Sequence, residues 1–252
     1  MSQPVYIYAF CETDAEPRLP DGIAGAPVRV IECGPLTAAV SDVNAGRVRP
    51  QRRMLAAHQQ VVSTLAESVP TLPAAFGLIA DSVDELVGAV HDNVDALRAE
   101  LDRVGNCIEF DVRLVWDAEN VFEHLVSIDG VLASMRDELT SLGDGAPHEL
   151  RVEVGRRVER VLASHRAAGS AAIVDAIAPV CREIDESEPS GEHELVRLAA
   201  LVEREQRSAF EDAVAEAAEH FDTSYLLRLA GPFAPHTFVD LHLSLSNSRM
   251  AA

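Results

Sequence analysis

Apolar and polar positions alternate along this chain in two rhythms, one of period two and one of period three to four. Val5 to Phe10 (VYIYAF) is a continuous β-branched and aromatic run and predicts a buried strand. After a loop rich in Pro, Gly and Asp (Glu16–Pro27), two apolar runs follow, Val28–Glu32 and Leu36–Ser41. Cys33-Gly34-Pro35 between them is turn chemistry, so the pair predicts a hairpin. Residues 51–66 change to helical spacing, with Met54, Leu55, His58, Val61, Val62 and Leu65 on one face and Pro70 as the stop. Leu72–Ile79 is predicted as a short strand or a strand-like edge. Ser82 and Glu85 form a capping box, and an aliphatic stripe from Val83 to Leu101 predicts one amphipathic helix behind it.

Period two returns at Cys107–Trp116, a predicted strand with Ile108, Phe110, Val112, Leu114 and Trp116 on one side. Helical spacing then runs through Val121–Leu142 and stops at Gly143. A long helix is expected from about His148 to Val180, weakened locally by Gly155 and Gly169. Cys181–Glu194 carries six carboxylates and predicts an exposed loop or hairpin tip. Leu195–Val202 predicts a strand, Arg204–His220 a helix, and Ser224–Leu229 a last strand. The orders β-β-β-α-β-α and β-α-α-β-α-β predict an α+β protein of two domains. The expected division is 1–105 and 106–252, each an α+β sandwich with helices on one face of a mainly antiparallel sheet, in the manner of ferredoxin.

Charge narrows the partners. There are 41 acidic residues against 21 basic ones, a formal net charge of −20, and every basic residue is Arg. Such a surface repels nucleic acid and anionic lipid. No apolar run approaches the roughly 18 residues that span a bilayer, and MSQPVYIYAF lacks the charged start and long apolar stretch of a signal peptide. The expectation is a cytoplasmic protein. Cys11, Cys33, Cys107 and Cys181 are widely separated, without a CxxC pair, and read as reduced thiols.

Chemistry is sparse. There is no GxxxxGK[ST], GxGxxG, GxSxG or HExxH. Gly22 and Gly25 read as loop residues rather than a phosphate cradle. His58, His91, His124, His165 and His220 fall in predicted helices without a second His or Cys at i+3 or i+4, the spacing that would put two ligands on one face. His236 and His242, the latter two residues after Asp240, are a metal or acid–base candidate. Asp117 reads as the N-cap of the helix that follows it. No catalytic residue, metal site or cofactor is assigned. Two segments stand out instead, Leu72–Leu78 (LPAAFGL) and Leu229–Val239, each combining Pro, Gly and Phe at a strand end. Pro fixes φ and Gly permits close approach, so these segments are rigid and suit a core edge, a protein-binding face, or both.

Four stretches in order resemble the gas vesicle protein F/L family: VYIYAF, GAPVRVIECGPLTAAVSDV, LPAAFG and RLAGPFAPHTFV. Family members open with a YLYGIV-like strand, continue with a PVRLVEHGGLAAVVSDV-like hairpin and an LPMRFGTVF-like segment, and close with LTGPWPPYSFV. Leu72, Pro73, Phe76 and Gly77 match the middle motif, with Ala75 where an Arg is common. Gly231, Pro232, Pro235 and Phe238 match the closing one, with Phe233 in place of Trp and His236 in place of Tyr. The resemblance implies two domains, 1–105 a ferredoxin-like α/β sandwich and 106–252 a modified ferredoxin-like, helix-rich α+β domain. It implies a non-enzymatic accessory protein of gas vesicle assembly, without a cofactor. It would bind the small hydrophobic shell protein and other vesicle proteins and associate with the vesicle. Leu72, Pro73, Phe76, Gly77, Gly231, Pro232, Phe233, Pro235 and Phe238 are the candidate partner-binding positions, with Phe233 and Phe238 expected to anchor the closing segment in the core and Gly231 to end the last strand. Two other functions fit the pattern of elements. One is a small-ligand regulatory module built from ferredoxin-like domains. The other is an enzyme of the dimeric α+β barrel type, haem-dependent through His165 or His220.

Overall fold

A computed structural model describes residues 3–12, 18–44, 48–240, 243 and 245. The chain divides into two compact units, residues 1–109 together with 232–252, and residues 110–231. The sequence division at 105/106 put the closing segment with the second half; here Pro232 onward groups with the first.

The first unit is built on β1 (Val5–Glu12), β2 (Arg29–Cys33), β3 (Leu36–Asp42), β4 (Thr71–Pro73) and β5 (Ile79–Ala80), in the order β2-β3-β1-β4 with β5 also on β1. Strand β1 is central, which is why its apolar run has no polar alternation: Val5 to Cys11 are all buried. The Cys33–Leu36 turn, with Gly34 at φ +73°, joins β2 to β3 as an antiparallel hairpin. The stretch predicted as one element, Leu72–Ile79, is instead the end of β4 and the start of β5. Ala9 pairs with Pro73 and Tyr6 with Ile79, and the chain turns through Phe76-Gly77 between them. Helix α1 (Arg52–Ser68) lays His58, Val61, Val62 and Leu65 against the sheet. Gly22 has a specific task. A Cβ there would overlap the Tyr8 hydroxyl, which accepts from Ile23 N at 2.8 Å and bonds Ser41 Oγ at 2.8 Å.

The aliphatic stripe behind Ser82 forms two helices, α2 (Val83–Asp92) and α3 (Val94–Val104), not one. Asn93 leaves the helical region (φ −118°, ψ 16°) while its side-chain amide donates to Ala89 O at 2.8 Å, the local competition that makes Asn a helix breaker. The Ser82 cap is as expected, with Glu85 N donating to Ser82 Oγ at 3.1 Å, and Glu85 Oε2 takes Asp81 N at 2.6 Å. Ser82→Ala is expected to cost about 1 kcal/mol, checked by denaturant unfolding.

The second sheet has the order β7-β8-β6-β9, from β6 (Cys107–Trp116), β7 (Glu183–Ser187), β8 (Glu194–Glu203) and β9 (Tyr225–Phe233). Numbering by chain order the four strands of the second sheet and the four of the first sheet's β2-β3-β1-β4 path, both read 4-1-3-2, the ferredoxin-like arrangement. The second unit keeps the β-α-β-β-α-β order and enlarges the first helical connection to three helices, α4 (Val121–Ile128), α5 (Gly130–Leu142) and α6 (His148–Ile177), with α7 (Arg207–Ala218) as the second connection.

The predicted helix over 121–142 breaks at Asp129. Its extended backbone places Oδ1 to accept Leu132 N at 2.7 Å, and Arg157 closes on both carboxylate oxygens. The cap of α4 is Asn120, whose Oδ1 accepts Glu123 N at 3.1 Å, and not Asp117. The acidic stretch is half strand. Glu183–Ser187 pairs antiparallel with Leu201–Arg197, and its charges sit on a sheet edge, where they discourage further pairing. Gly169 faces the sheet. A Cβ there would come 2.7 Å from a Leu114 methyl, so its helix-weakening character is exchanged for close packing.

Candidate functional site

In the first unit the two Pro/Gly/Phe segments meet at one cavity of about 490 Å³, lined by Leu55, Ala56, His58, Gln59, Phe76 and His236. Its centre is His58, 3% exposed. Phe76 stands edge-on to His58 at 5.7 Å between ring centres, and His236 lies at 5.9 Å. Tyr8 stacks on the His58 ring at 5.7 Å.

A hydrogen-bond chain orients this histidine. Gly77, held at φ +92°, donates its backbone N–H to Tyr6 Oη at 3.0 Å. The Tyr6 hydroxyl proton is therefore free to go to His58 Nδ1, 2.9 Å away, which leaves the proton of the neutral ring on Nε2. Nε2 of His58 and Nε2 of His236 are both buried without a hydrogen-bond partner. The Ala74 carbonyl lies near enough to favour a charge on His58, but not in hydrogen-bonding geometry with Nε2. Burial pushes both imidazoles down to about 4, and His236 adds a like-charge contribution at His58. Near pH 7 both rings are neutral, so a protein of net charge −20 presents an uncharged, ring-lined hollow here.

The motif positions divide by environment. Leu72 and Pro73 are buried in β4, Phe76 is half-buried at the cavity, and Gly77 supports Tyr6. Pro235 and Phe238 are buried. Gly231, at φ +136°, does not end β9, which continues through Pro232 to Phe233. Phe233 is exposed and is not a core anchor; the expectation failed because β9 is an edge strand whose end, Leu229 to Phe233, is exposed on both faces. What fastens the closing segment is a set of charged side chains that the sequence did not single out. Thr237 N and Oγ1 donate to Glu109 at 2.8 and 2.7 Å, Arg103 donates to Phe238 O, and Asp240 N donates to Glu100 at 2.9 Å. His236 thereby reaches the cavity. Its proposed companion His242 lies outside the described residues. Among the described residues no group of three or more His, Cys, Asp or Glu could hold a metal. Burial raises the thiols of Cys11 and Cys33 to about 11 and that of Cys181 to about 12, which suits structural thiols.

The missed residues, Tyr6 and His58, left a sequence signal only in His58, a lone polar residue on an aliphatic helix face. Tyr6 was hidden in the strand it helps to form.

The sequence pattern of the family described as gas vesicle synthesis protein GvpL/GvpF matches residues 4–240. The chain belongs to this family. Relatives of this GvpL/GvpF chain include gas vesicle protein F of Streptomyces sp. (strain CB03234), 25% identical over 240 residues, 93% of this chain and 99% of the relative. Gas vesicle protein L1 of Halobacterium salinarum is 25% identical over 233 residues, 86% of this chain and 82% of the relative. Two crystal structures share the fold. GvpF from Anabaena sp. PCC7120 superposes with a TM-score of 0.82 at 22% identity, covering 96% of this chain and 100% of that one. GvpF from Microcystis aeruginosa gives 0.78 at 19% identity, covering 95% and 100%. The chain thus takes part in gas vesicle formation. Among the described residues no helix is long and apolar enough to cross a membrane.

Proposed function

We propose that this GvpL/GvpF chain is a non-enzymatic accessory protein of gas vesicle assembly that binds the small hydrophobic shell protein through the His58 cavity. The observation that supports this reading is the convergence of the two Pro/Gly/Phe segments, through Phe76 and His236, on one hollow lined by rings and aliphatic side chains. A neutral, mostly apolar hollow beside helix α1 suits the apolar face of an amphipathic helix, the helix-in-groove mode of recognition. The acidic remainder of the surface keeps the complex dispersed while an aggregation-prone subunit is held. The protein works in the cytoplasm, on the growing vesicle and with other vesicle proteins, without nucleic acid, membrane or cofactor.

Leu55 is the residue to change, because it lines the cavity while remaining 44% exposed. Leu55→Asp leaves the core intact and places a carboxylate where an apolar partner would sit. In a vesicle-forming host lacking its own copy, the wild-type gene is expected to restore vesicles and Leu55→Asp to fail at equal protein level. Normal vesicles with Leu55→Asp would remove the cavity from the account.

A further inference from the structure

The second unit holds a different kind of hollow, of about 340 Å³, which the shell-protein reading does not use. Its walls are His165, His220, Phe221, Asp222 and Tyr225, and Ala168, Gly169 and Ala172 of α6 keep its floor low. These are the histidines that the haem-enzyme alternative pointed to. Their surroundings fit another ligand.

The rings form a connected set. Phe221 and Tyr225 are 5.4 Å apart between centres and inclined at 49°, and Tyr225 and His165 are 6.4 Å apart at 40°. The Tyr225 hydroxyl is fixed on His165 Nδ1 at 2.9 Å. One ring neighbour of Tyr225 is Trp116, 4.6 Å away, and Trp116 in turn touches His165 at 5.0 Å. Desolvation and His124 lower the pKa of His165, so this wall is uncharged near neutrality. Asp222 supplies the charge. Its Oδ1 accepts both Ser224 N at 2.8 Å and Ser224 Oγ at 2.5 Å, which holds the carboxylate ionised and fixed, and those two bonds leave Oδ2 unused.

Aromatic faces beside a fixed carboxylate are the chemistry that recognises an organic cation. The planar guanidinium fits better than an ammonium, because it stacks on a ring while its N–H groups bond a carboxylate. A net charge of −20 draws cationic groups to this protein from any direction. We propose that this cavity takes the arginine side chain of a partner protein, stacked on Tyr225 and Phe221 and paired with Asp222.

Trp116 is the only tryptophan of the chain and touches two walls of the cavity, so its emission reports occupancy. The full chain is titrated with N-acetyl-arginine methylamide, and in parallel with the citrulline and lysine equivalents. Exposed cation–π contacts and ion pairs are individually weak, so the series runs to about 50 mM at fixed ionic strength. The expected result is a saturable change in Trp116 emission with the arginine amide, at least fivefold weaker with lysine and absent with citrulline. Asp222→Asn keeps the acceptor for Ser224 and should weaken the arginine response at least fivefold. Phe221→Leu keeps apolar bulk and should weaken it less. No saturable response, an equal response to citrulline or lysine, or a response unchanged in Asp222→Asn would each overturn the proposal. Should Asp222→Asn perturb the fold, the three-amide comparison on the wild-type chain decides alone.

Discussion

Tyr6→Phe is expected to destabilise the protein by about 2–4 kcal/mol, out of proportion to the loss of one oxygen atom. The Tyr6 hydroxyl accepts Gly77 N–H at 3.0 Å and serves His58 Nδ1 at 2.9 Å. Tyr6 itself is 0% exposed, and burial drives its phenol far above the usual tyrosine range, so the hydroxyl stays protonated and available to donate. Removing it leaves a backbone donor and an imidazole acceptor unpaired, each costing roughly 1–3 kcal/mol where water cannot replace the partner. Ring packing against Phe76 at 6.1 Å and Tyr8 at 4.8 Å is kept, so the loss reports the hydrogen bonds and not a cavity. Denaturant unfolding monitored by circular dichroism measures it. A change below about 0.5 kcal/mol, the scatter of ordinary surface substitutions, would mean that Tyr6 does not hold His58 in place.

Acid should weaken the protein earlier than its carboxylates require. His58 has an ordinary value of 6.5 and stands at about 4 in the folded chain. Between those values the unfolded chain binds the proton and the folded chain does not, so stability is full above about pH 6.5 and falls as pH drops toward 4. From pH 7 to pH 5 the loss from His58 alone is about 2 kcal/mol, with the complete shift worth roughly 3 kcal/mol. His236 moves the same way, but the two rings repel each other when charged and their contributions are not summed. Glu100, Asp111 and Asp129 are held below the usual carboxylate range by Arg103, Arg113 and Arg157, so the stability they supply goes only at lower pH, as their carboxylates protonate. His58→Gln, which can still accept from Tyr6, should flatten the pH 7-to-5 slope. An identical slope in wild type and His58→Gln would contradict the assignment.

The fold was legible wherever one physical effect decided the local structure. VYIYAF could only be a buried strand, and the Cys33-Gly34-Pro35 turn could only close a hairpin. Legibility failed where a short polar side chain outweighed a continuing apolar stripe. Asn93 and Asp129 each sit in a run that still reads as helix, and each breaks it by bonding nearby backbone. The strand hidden in Glu183–Ser187 escaped because an edge strand with solvated charges has no apolar alternation to show.

The site was half legible. Its two Pro/Gly/Phe segments were recognisable by composition, but their meeting is a product of topology. β4 and β5 flank β1 and so deliver Phe76, while the Glu109, Arg103 and Glu100 contacts bring His236 from the far end of the chain. Phe233 and Phe238 looked equivalent in sequence and differ in fact, one exposed at 36% and one buried at 7%. A Phe238→Ala variant would therefore report on folding, whereas Leu55→Asp reports on the surface.

The central claim, that the His58 cavity holds the shell protein, is tested most directly by the affinity of purified shell protein for the immobilised wild-type chain and for Leu55→Asp. Burying an unpaired carboxylate against an apolar partner should cost about 2–3 kcal/mol, a weakening of roughly 30- to 150-fold, with Phe233→Ala unchanged as the control on β9. Equal affinity of wild type and Leu55→Asp, with both folded, would contradict the account.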